Sequence, residues 1–325
     1  MPPSPSFICA HLNMHGHGDA ISPNRERNRV PARREQEATE PLPYGRGSDR
    51  GRGSGCLQND FTVAATYEEL LRKHGLDSLD ALFAYMSGER LDKPGLDPWR
   101  ERWRLTVRDG ERGRVFYLKR FLHPPRAARR AMRRSGTGAP SLAGNEWAWI
   151  QRLTADGIPC VEAVAYGEEV RRGREVRSAI LTAEAPGRSL ERWVREWGEA
   201  DRPMVRRLVP ATASLISRLH GCGYIHRDLY LSHVFFDPSQ PIERSLRLID
   251  LQRVIRPRCC IRRWVVKDLA SLNFSTPSSL VSRSDRLRWL RHYLEVEKLD
   301  RAARRLVYRV TGKTRRIARR EQGRG

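Results

Sequence analysis

The stretch Tyr224-Ile-His-Arg-Asp-Leu-Tyr-Leu-Ser-His-Val-Phe-Phe-Asp237 sets His226, Arg227 and Asp228 side by side between apolar residues. A second stretch, Leu246-Arg-Leu-Ile-Asp-Leu-Gln252, ends a short apolar run on the carboxylate of Asp250. Charged groups do not enter apolar segments without partners or a task, because burying an unpaired charge is costly. The two aspartates stand 22 positions apart, on segments that read as the arms of a hairpin, so both carboxylates can converge. One carboxylate to take a proton and one to hold a hard cation are what phosphoryl transfer asks of a protein.

The elements around them read as strands first and helices later. Helical apolar spacing runs through Tyr67–His74 and Leu79–Tyr85, with Gly75 as a stop. Trp103–Arg108 alternates, Asp109-Gly110 supplies a turn, and Val115–Phe121 reads as the returning strand. A helix begins near Gly144 and carries Glu146 and Trp149. Strands follow at Val161–Tyr166 and Arg177–Ala183, then helices at Leu190–Trp197 and Val205–His220. This order predicts an α+β protein of two lobes, with no internal repeat. Residues 1–60 are rich in Pro, Gly, Ser and Arg and read as a disordered tail. Residues 61–185 then form the first lobe with its preceding helices, and 186–325 the helical lobe. His11, His15 and His17 in the tail lack the surrounding groups that orient metal-binding imidazoles, and are not taken as a site.

Composition narrows the classes. The chain of 325 residues carries 61 Lys+Arg against 38 Asp+Glu, a formal charge of +23. Residues 1–60 hold 8 basic and 7 acidic side chains, so nearly all the excess belongs to the remainder. With 39% apolar residues the chain can bury a core, yet no run is long enough to span a bilayer. No secretory leader is evident in the opening residues. Six cysteines without paired metal spacing, two of them the adjacent Cys259 and Cys260, read as reduced thiols of a cytosolic protein. Nucleic acid, an anionic membrane and a phosphorylated substrate are the partners such charge admits. Only six of the basic residues are lysine, namely Lys73, Lys93, Lys119, Lys267, Lys298 and Lys313, so a lysine in a special place stands out from an arginine-rich background. Gly312-Lys313-Thr314 is not a phosphate loop, since Val307 falls where its first glycine belongs.

His226-Arg227-Asp228 resembles the catalytic loop of the protein-kinase fold, and Asp250 sits where that fold carries its metal-binding aspartate. Val115-Phe-Tyr-Leu-Lys119 is similar to the strand whose lysine holds nucleotide phosphates, and Glu146 matches the glutamate that pairs with it. The details His-Arg-Asp-Leu-Tyr-Leu-Ser-His, Ile-Asp-Leu-Gln-Arg and Lys267-Asp-Leu-Ala-Ser-Leu-Asn-Phe-Ser275 resemble the bacterial lipopolysaccharide core kinases, which phosphorylate Kdo or heptose. The resemblance covers about residues 100–275. It implies a small β-rich lobe and a mainly helical lobe, ATP and Mg²⁺ as cofactors, and an alcohol acceptor. It makes Asp228 the catalytic residue and Asp250 the metal ligand. Lys119 and Glu146 hold the phosphates, and a hinge at Thr182–Ala185, with Glu184 and Ala185, takes the adenine.

Two departures separate the chain from protein kinases. His233 stands five positions after Asp228, where they carry a metal-binding asparagine, and no G-x-G-x-x-G precedes Lys119. Both departures favour the core-kinase family. His233 is either a second metal ligand or scaffold, since imidazole suits Mg²⁺ poorly. His220 and His226 read as hydrogen-bonded scaffold, Arg227 as a structural donor to nearby backbone or carboxylate, and Asp268 as a residue that orients the loop.

Residues 100–134 hold thirteen basic side chains against three acidic, and 301–325 ten against one. The resemblance implies a lipid-linked anionic glycan as partner, met at the anionic cytoplasmic face of the inner membrane. Aromatics are not interleaved with the basic runs, so nucleic acid is not expected. The alternatives are a protein or aminoglycoside-type kinase of the same fold, or a basic pseudokinase.

Overall fold

The computed structural model describes residues 57–91 and 97–323. The three tail histidines lie outside the described residues. Strand β1 (Leu57–Val63) is followed by short helices α1 (Glu68–Lys73) and α2 (Leu79–Ala84), then β2 (Glu89–Arg90), β3 (Arg100–Asp109) and β4 (Arg112–Leu122). Helices α3 (Arg126–Arg133) and α4 (Leu142–Ala155) precede β5 (Ala163–Arg171) and β6 (Arg174–Ala183). These strands form one antiparallel sheet in the order β1-β5-β6-β4-β3-β2. β1 starts inside the stretch read as tail, because seven of its residues pair with β5, from Leu57↔Arg171 to Val63↔Ala165. The arginine-rich run after Pro125, which carried no helical expectation, is helix α3.

Sequence and sheet agree where pleating sets the pattern. Along β3, Trp103, Leu105 and Val107 alternate inward, and Phe116 and Leu118 do the same on β4. They pack with Leu71, Leu79 and Leu82 of α1 and α2 as one apolar cluster. Gly110 closes the β3–β4 turn at φ 61°, a backbone that glycine adopts without strain.

The helical lobe holds a larger core. Strand β7 (Arg188–Ser189) leads into α5 (Leu190–Glu196) and α6 (Arg202–Gly221). Strands β8 (Val234–Phe236) and β9 (Leu246–Leu248) form the expected hairpin, and β7 joins them as a third strand. Helices α7 (Ile261–Ser275), α8 (Arg283–Leu294) and α9 (Arg301–Gln322) complete the lobe. Gly312, Lys313 and Thr314 lie within α9. Helix α4 of the first lobe buries Trp149, Ile150 and Leu153 in this core, beside Tyr224 and Leu248. Backbone bonds also lace the lobes together: Val161 N–H donates to Leu248 O at 2.8 Å, and Leu248 N–H to Pro159 O at 3.0 Å. The strand that leads into Asp250 is therefore fixed from both lobes.

Candidate active site

Lys119 lies on β4 opposite Arg102 of β3 and Ile180 of β6. Directly opposed residues share a sheet face, so Lys119 and Arg102 point to the same side. Ser141 caps α4 by accepting the Gly144 N–H at 3.0 Å, and Glu146 follows in the first turns, 1% exposed. Lys119 Nζ donates to Glu146 Oε1 at 2.7 Å and to Asp250 Oδ1 at 2.8 Å. Arg102 Nη2 and His233 Nε2 each stand 3.8 Å from Asp250 Oδ2.

Each ionisation state has a physical cause. Burial pulls the Lys119 ammonium down, but Asp250 and Glu146 outweigh it and hold the group above its ordinary value. Burial pushes Asp250 up, and Lys119 and Arg102, joined by His233 when its ring is protonated, hold it well below the usual carboxylate range. Glu146 moves the other way: burial raises it, Lys119 offsets only part, and Asp250 adds repulsion. The triad is a fixed cation and a fixed anion, braced by a buried carboxyl whose Oε2 has no partner.

Asp250 sits one residue beyond Ile249, at φ 57°, in the left-handed region that aspartate tolerates. That turn carries the chain from β9 into Leu251–Arg253. Helix α4 and strand β3 both grip the turn: Asn145 Nδ2 donates to Gln252 O at 3.1 Å, and Arg100 Nη2 donates to Gln252 Oε1 at 2.8 Å. The loop bearing Asp228 is braced from α7. Asp268 accepts the backbone N–H groups of His226 and Arg227 at 2.7 and 2.8 Å. His220 joins the same carboxylate at 3.4 Å and Tyr293 OH at 2.8 Å. His226 Nε2 meets Ile249 O at 3.0 Å, and burial holds its ring below the ordinary histidine value.

The Arg227 guanidinium does not reach a carboxylate or carbonyl as expected; it lies over the Trp264 ring at 5.4 Å, and its Nε has no partner. The Glu184 N–H donates to Val115 O at 2.9 Å and its carboxylate accepts from Tyr117 OH at 3.2 Å. At this hinge the Glu184 carbonyl and the Ala185 N–H make no backbone hydrogen bond among the described residues. Gly110 and Gly113 lie at the far end of the β3–β4 hairpin from Lys119. Residues 92–96 lie outside the described residues.

His233 Nδ1 meets the Asp228 carbonyl at 2.7 Å. A carbonyl only accepts, so Nδ1 carries the proton. Nε2 then faces Asp250.

Three cleft residues were missed in the sequence: Arg102, Arg253, and Lys267 as a neighbour of Asp228. Arg253 Nη1 donates to both Asp228 oxygens, at 2.9 and 2.7 Å. Lys267 Nζ stands 3.9 Å from Asp228 Oδ1 and donates to the Arg227 carbonyl. The scarcity of lysine was the signal that could have found Lys267.

A β-rich lobe bearing a buried Lys–Glu pair, over a helical lobe presenting two aspartates, defines a protein-kinase-like fold. The chain belongs to the Lipopolysaccharide kinase (Kdo/WaaP) family, whose model matches residues 100–293. It is similar to the lipopolysaccharide core heptose(I) kinase WaaP of Pseudomonas aeruginosa, 37% identical over 157 residues, or 46% of this chain and 59% of that protein. It is also similar to the heptose(I) kinase WaaP of Escherichia coli K12, 28% identical over 191 residues, or 56% and 72%. The chain thus spans about three-fifths of the length of the Pseudomonas protein. A solved structure titled "WaaP in complex with acyl carrier protein" superposes with a TM-score of 0.56 at 28% identity. That match covers 81% of this chain and 98% of the solved one.

Proposed function

We propose that the protein is an ATP-dependent kinase that phosphorylates a sugar hydroxyl, of heptose or Kdo, in the lipopolysaccharide inner core. The observation that carries the reading is the convergence of Lys119, Glu146 and Asp250 within 2.7–2.8 Å, beside a braced Asp228. Family membership and the heptose kinase relatives support the acceptor class.

The residues present fit a magnesium nucleotide. Mg²⁺ in nucleotide sites takes one or two carboxylates and fills its other positions with phosphate oxygens and water. Asp250 supplies the ionised carboxylate, and His233 is the second, weaker donor within reach. When bound, the ion neutralises charge on the transferring phosphoryl group. Lys119 holds phosphates by charge, Glu146 fixes the lysine, and Glu184 with Ala185 meets the base. Asp228 orients the acceptor hydroxyl and takes its proton. Lys267 and Arg253 beside it stabilise the carboxylate, so this chemistry relies on positioning and late proton acceptance.

A carrier-protein partner has its own support. A cavity of about 600 Å³ lies among α5 to α9, lined by Trp197, Leu208, Leu231, Leu272, Leu306 and Val310. Its lining is mainly apolar, with Asn273, Arg283, Arg286 and Arg315 among it, and suits a fatty acyl chain, the group an acyl carrier protein presents. Leu231 belongs to the catalytic loop, so an occupant touches that loop from behind. No helix among the described residues is long and apolar enough to cross a membrane. The basic face of α9 supports attachment at the anionic cytoplasmic leaflet of the inner membrane.

The test is mass spectrometry of lipopolysaccharide from a strain lacking the protein. Loss of one phosphate from the inner core, restored by the wild-type chain and not by Asp228→Asn, is the expected result. An unchanged core would overturn the acceptor class.

A further inference from the structure

The Arg253–Asp228 contact lies at the rim of the cleft. The Arg253 side chain is 52% exposed against 22% for Asp228, so the guanidinium reaches the carboxylate from the mouth of the cleft. Only Nη1 bonds to Asp228. The remaining N–H groups have no hydrogen-bond partner among the described residues.

Beyond it the chain continues through Arg256, Arg258, Arg262 and Arg263 to Lys267 with no acidic residue. Arg256, Arg258 and Arg263 are exposed. Arg256 lies over the Tyr224 ring at 5.4 Å and Arg263 over Trp264 at 6.0 Å. A stacked guanidinium keeps its N–H edge outward. The nearby carboxylate of Asp268 is already taken by two backbone N–H groups. Positive charge on this side of Asp228 therefore exceeds what the chain neutralises. The effect is felt locally: burial first, and then repulsion from Arg253, holds Arg227 below its usual value.

We infer that Arg253 is a specificity residue for the acceptor, recognising a carboxylate or phosphate that the acceptor carries beside the hydroxyl to be phosphorylated. The inference rests on the sugar-kinase reading and deepens it. Arg253 Nη1 bonds to both oxygens of Asp228, beside the place of the acceptor hydroxyl. Each carboxylate oxygen accepts more than one hydrogen bond, so the acceptor hydroxyl can donate to Asp228 while the outer N–H groups of Arg253 face what lies beside that hydroxyl. An anionic neighbour on the acceptor takes the guanidinium as the hydroxyl takes the carboxylate, and no charge is stranded. A neutral acceptor leaves those outer N–H groups to water and gains no charged hydrogen bond from Arg253.

Three synthetic heptosides test this: one with an adjoining Kdo carboxylate, one with an adjoining phosphate, and the carboxyl-reduced, neutral counterpart of the first. Transfer kinetics are measured for the wild type, Arg253→Gln and Arg253→Lys, with acceptor binding by calorimetry without nucleotide. For the wild type, kcat/KM for at least one anionic acceptor should exceed that for the neutral one about tenfold or more, the usual worth of a charged hydrogen bond. Which anion is preferred identifies the group recognised. In Arg253→Gln the preference should vanish, mainly through a higher KM and weaker calorimetric binding, and Arg253→Lys should restore part of it. Mg·ATP affinity should stay within about twofold in both variants.

A preference left intact in Arg253→Gln, with kcat reduced equally for all three acceptors, would overturn the inference and make Arg253 a positioning residue for Asp228. A wild type that binds Mg·ATP but transfers to none of the heptosides would instead overturn the sugar-kinase reading, and the inference with it.

Discussion

Lys119 and Asp250, 131 positions apart in the chain, are joined by a 2.8 Å hydrogen bond across the cleft between the lobes. The bond ties the first lobe to the turn after β9 and holds both groups in their charged forms. On the proposed kinase reading, Asp250 loosens its grip on Lys119 as the nucleotide phosphates meet the lysine.

Replacing Lys119 by Met leaves Glu146, 1% exposed, without its cation. Removing one partner of a buried pair costs roughly 3–5 kcal/mol, and the low end applies here because Asp250 can rehydrate. Urea unfolding should show a loss of about 3 kcal/mol. The double variant Lys119→Met/Glu146→Leu should recover most of it while nucleotide binding stays lost. A single variant as stable as the wild type would contradict the account of the pair.

Glu175 gives a pH signature. Its carboxylate accepts from the Leu142 N–H, at the start of the helix carrying Glu146, and from Ser178. Burial pushes it up from 4.5 to about 7, and those two bonds only partly offset the rise. The folded state thus binds more protons than the unfolded state between these values. Its contribution to stability is complete below the unfolded value and lost as pH rises through the folded one. Glu175→Gln should flatten this slope by up to roughly 3 kcal/mol between about pH 5 and pH 8. Unfolding curves at the two pH values decide it, and an unchanged slope in the variant would exclude Glu175 as the source.

Asp268→Ala should orphan the N–H groups of His226 and Arg227, at about 1–3 kcal/mol each. Hydrogen exchange should then quicken across residues 225–229, with a fall in kcat. Asp268→Asn, which keeps one acceptor oxygen, should be milder. Unaltered protection of the loop in the alanine variant would remove Asp268 from its role as brace.

If the cavity among α5 to α9 receives an acyl chain, acylated carrier protein should raise the melting temperature more than the unacylated form. Val310→Trp, which fills part of that space, should abolish the difference. Equal shifts with both forms in the wild-type chain would confine any contact to the surface.

Much of the site was legible because its signals are local. His226-Arg227-Asp228, the apolar run ending at Asp250, and the helix carrying Glu146 each show themselves within a dozen residues. The β8–β9 hairpin was legible for the same reason. What escaped depends on distant partners. β1 is a strand only because β5, about a hundred residues later, offers its edge. Helix α3 follows two prolines and consists largely of arginines, so it shows no apolar stripe to read. Arg102 and Arg253 are two arginines among many, and only the fold brings them to Asp250 and Asp228. Arg227 was assigned a polar partner because sequence order does not place Trp264 beside it.

The central claim is that Asp228 serves the acceptor and Asp250 the metal nucleotide, and comparing their asparagine variants tests it most directly. Nucleotide affinity is titrated against Mg²⁺ for both variants, beside single-turnover transfer to a heptose acceptor. Asp250→Asn should weaken Mg·ATP binding and recover part of its activity as the metal concentration rises. Asp228→Asn should bind Mg·ATP as the wild type does while transfer slows by about 10²–10⁴, the usual worth of a positioned general base. Near-normal transfer by Asp228→Asn would contradict the account at its centre.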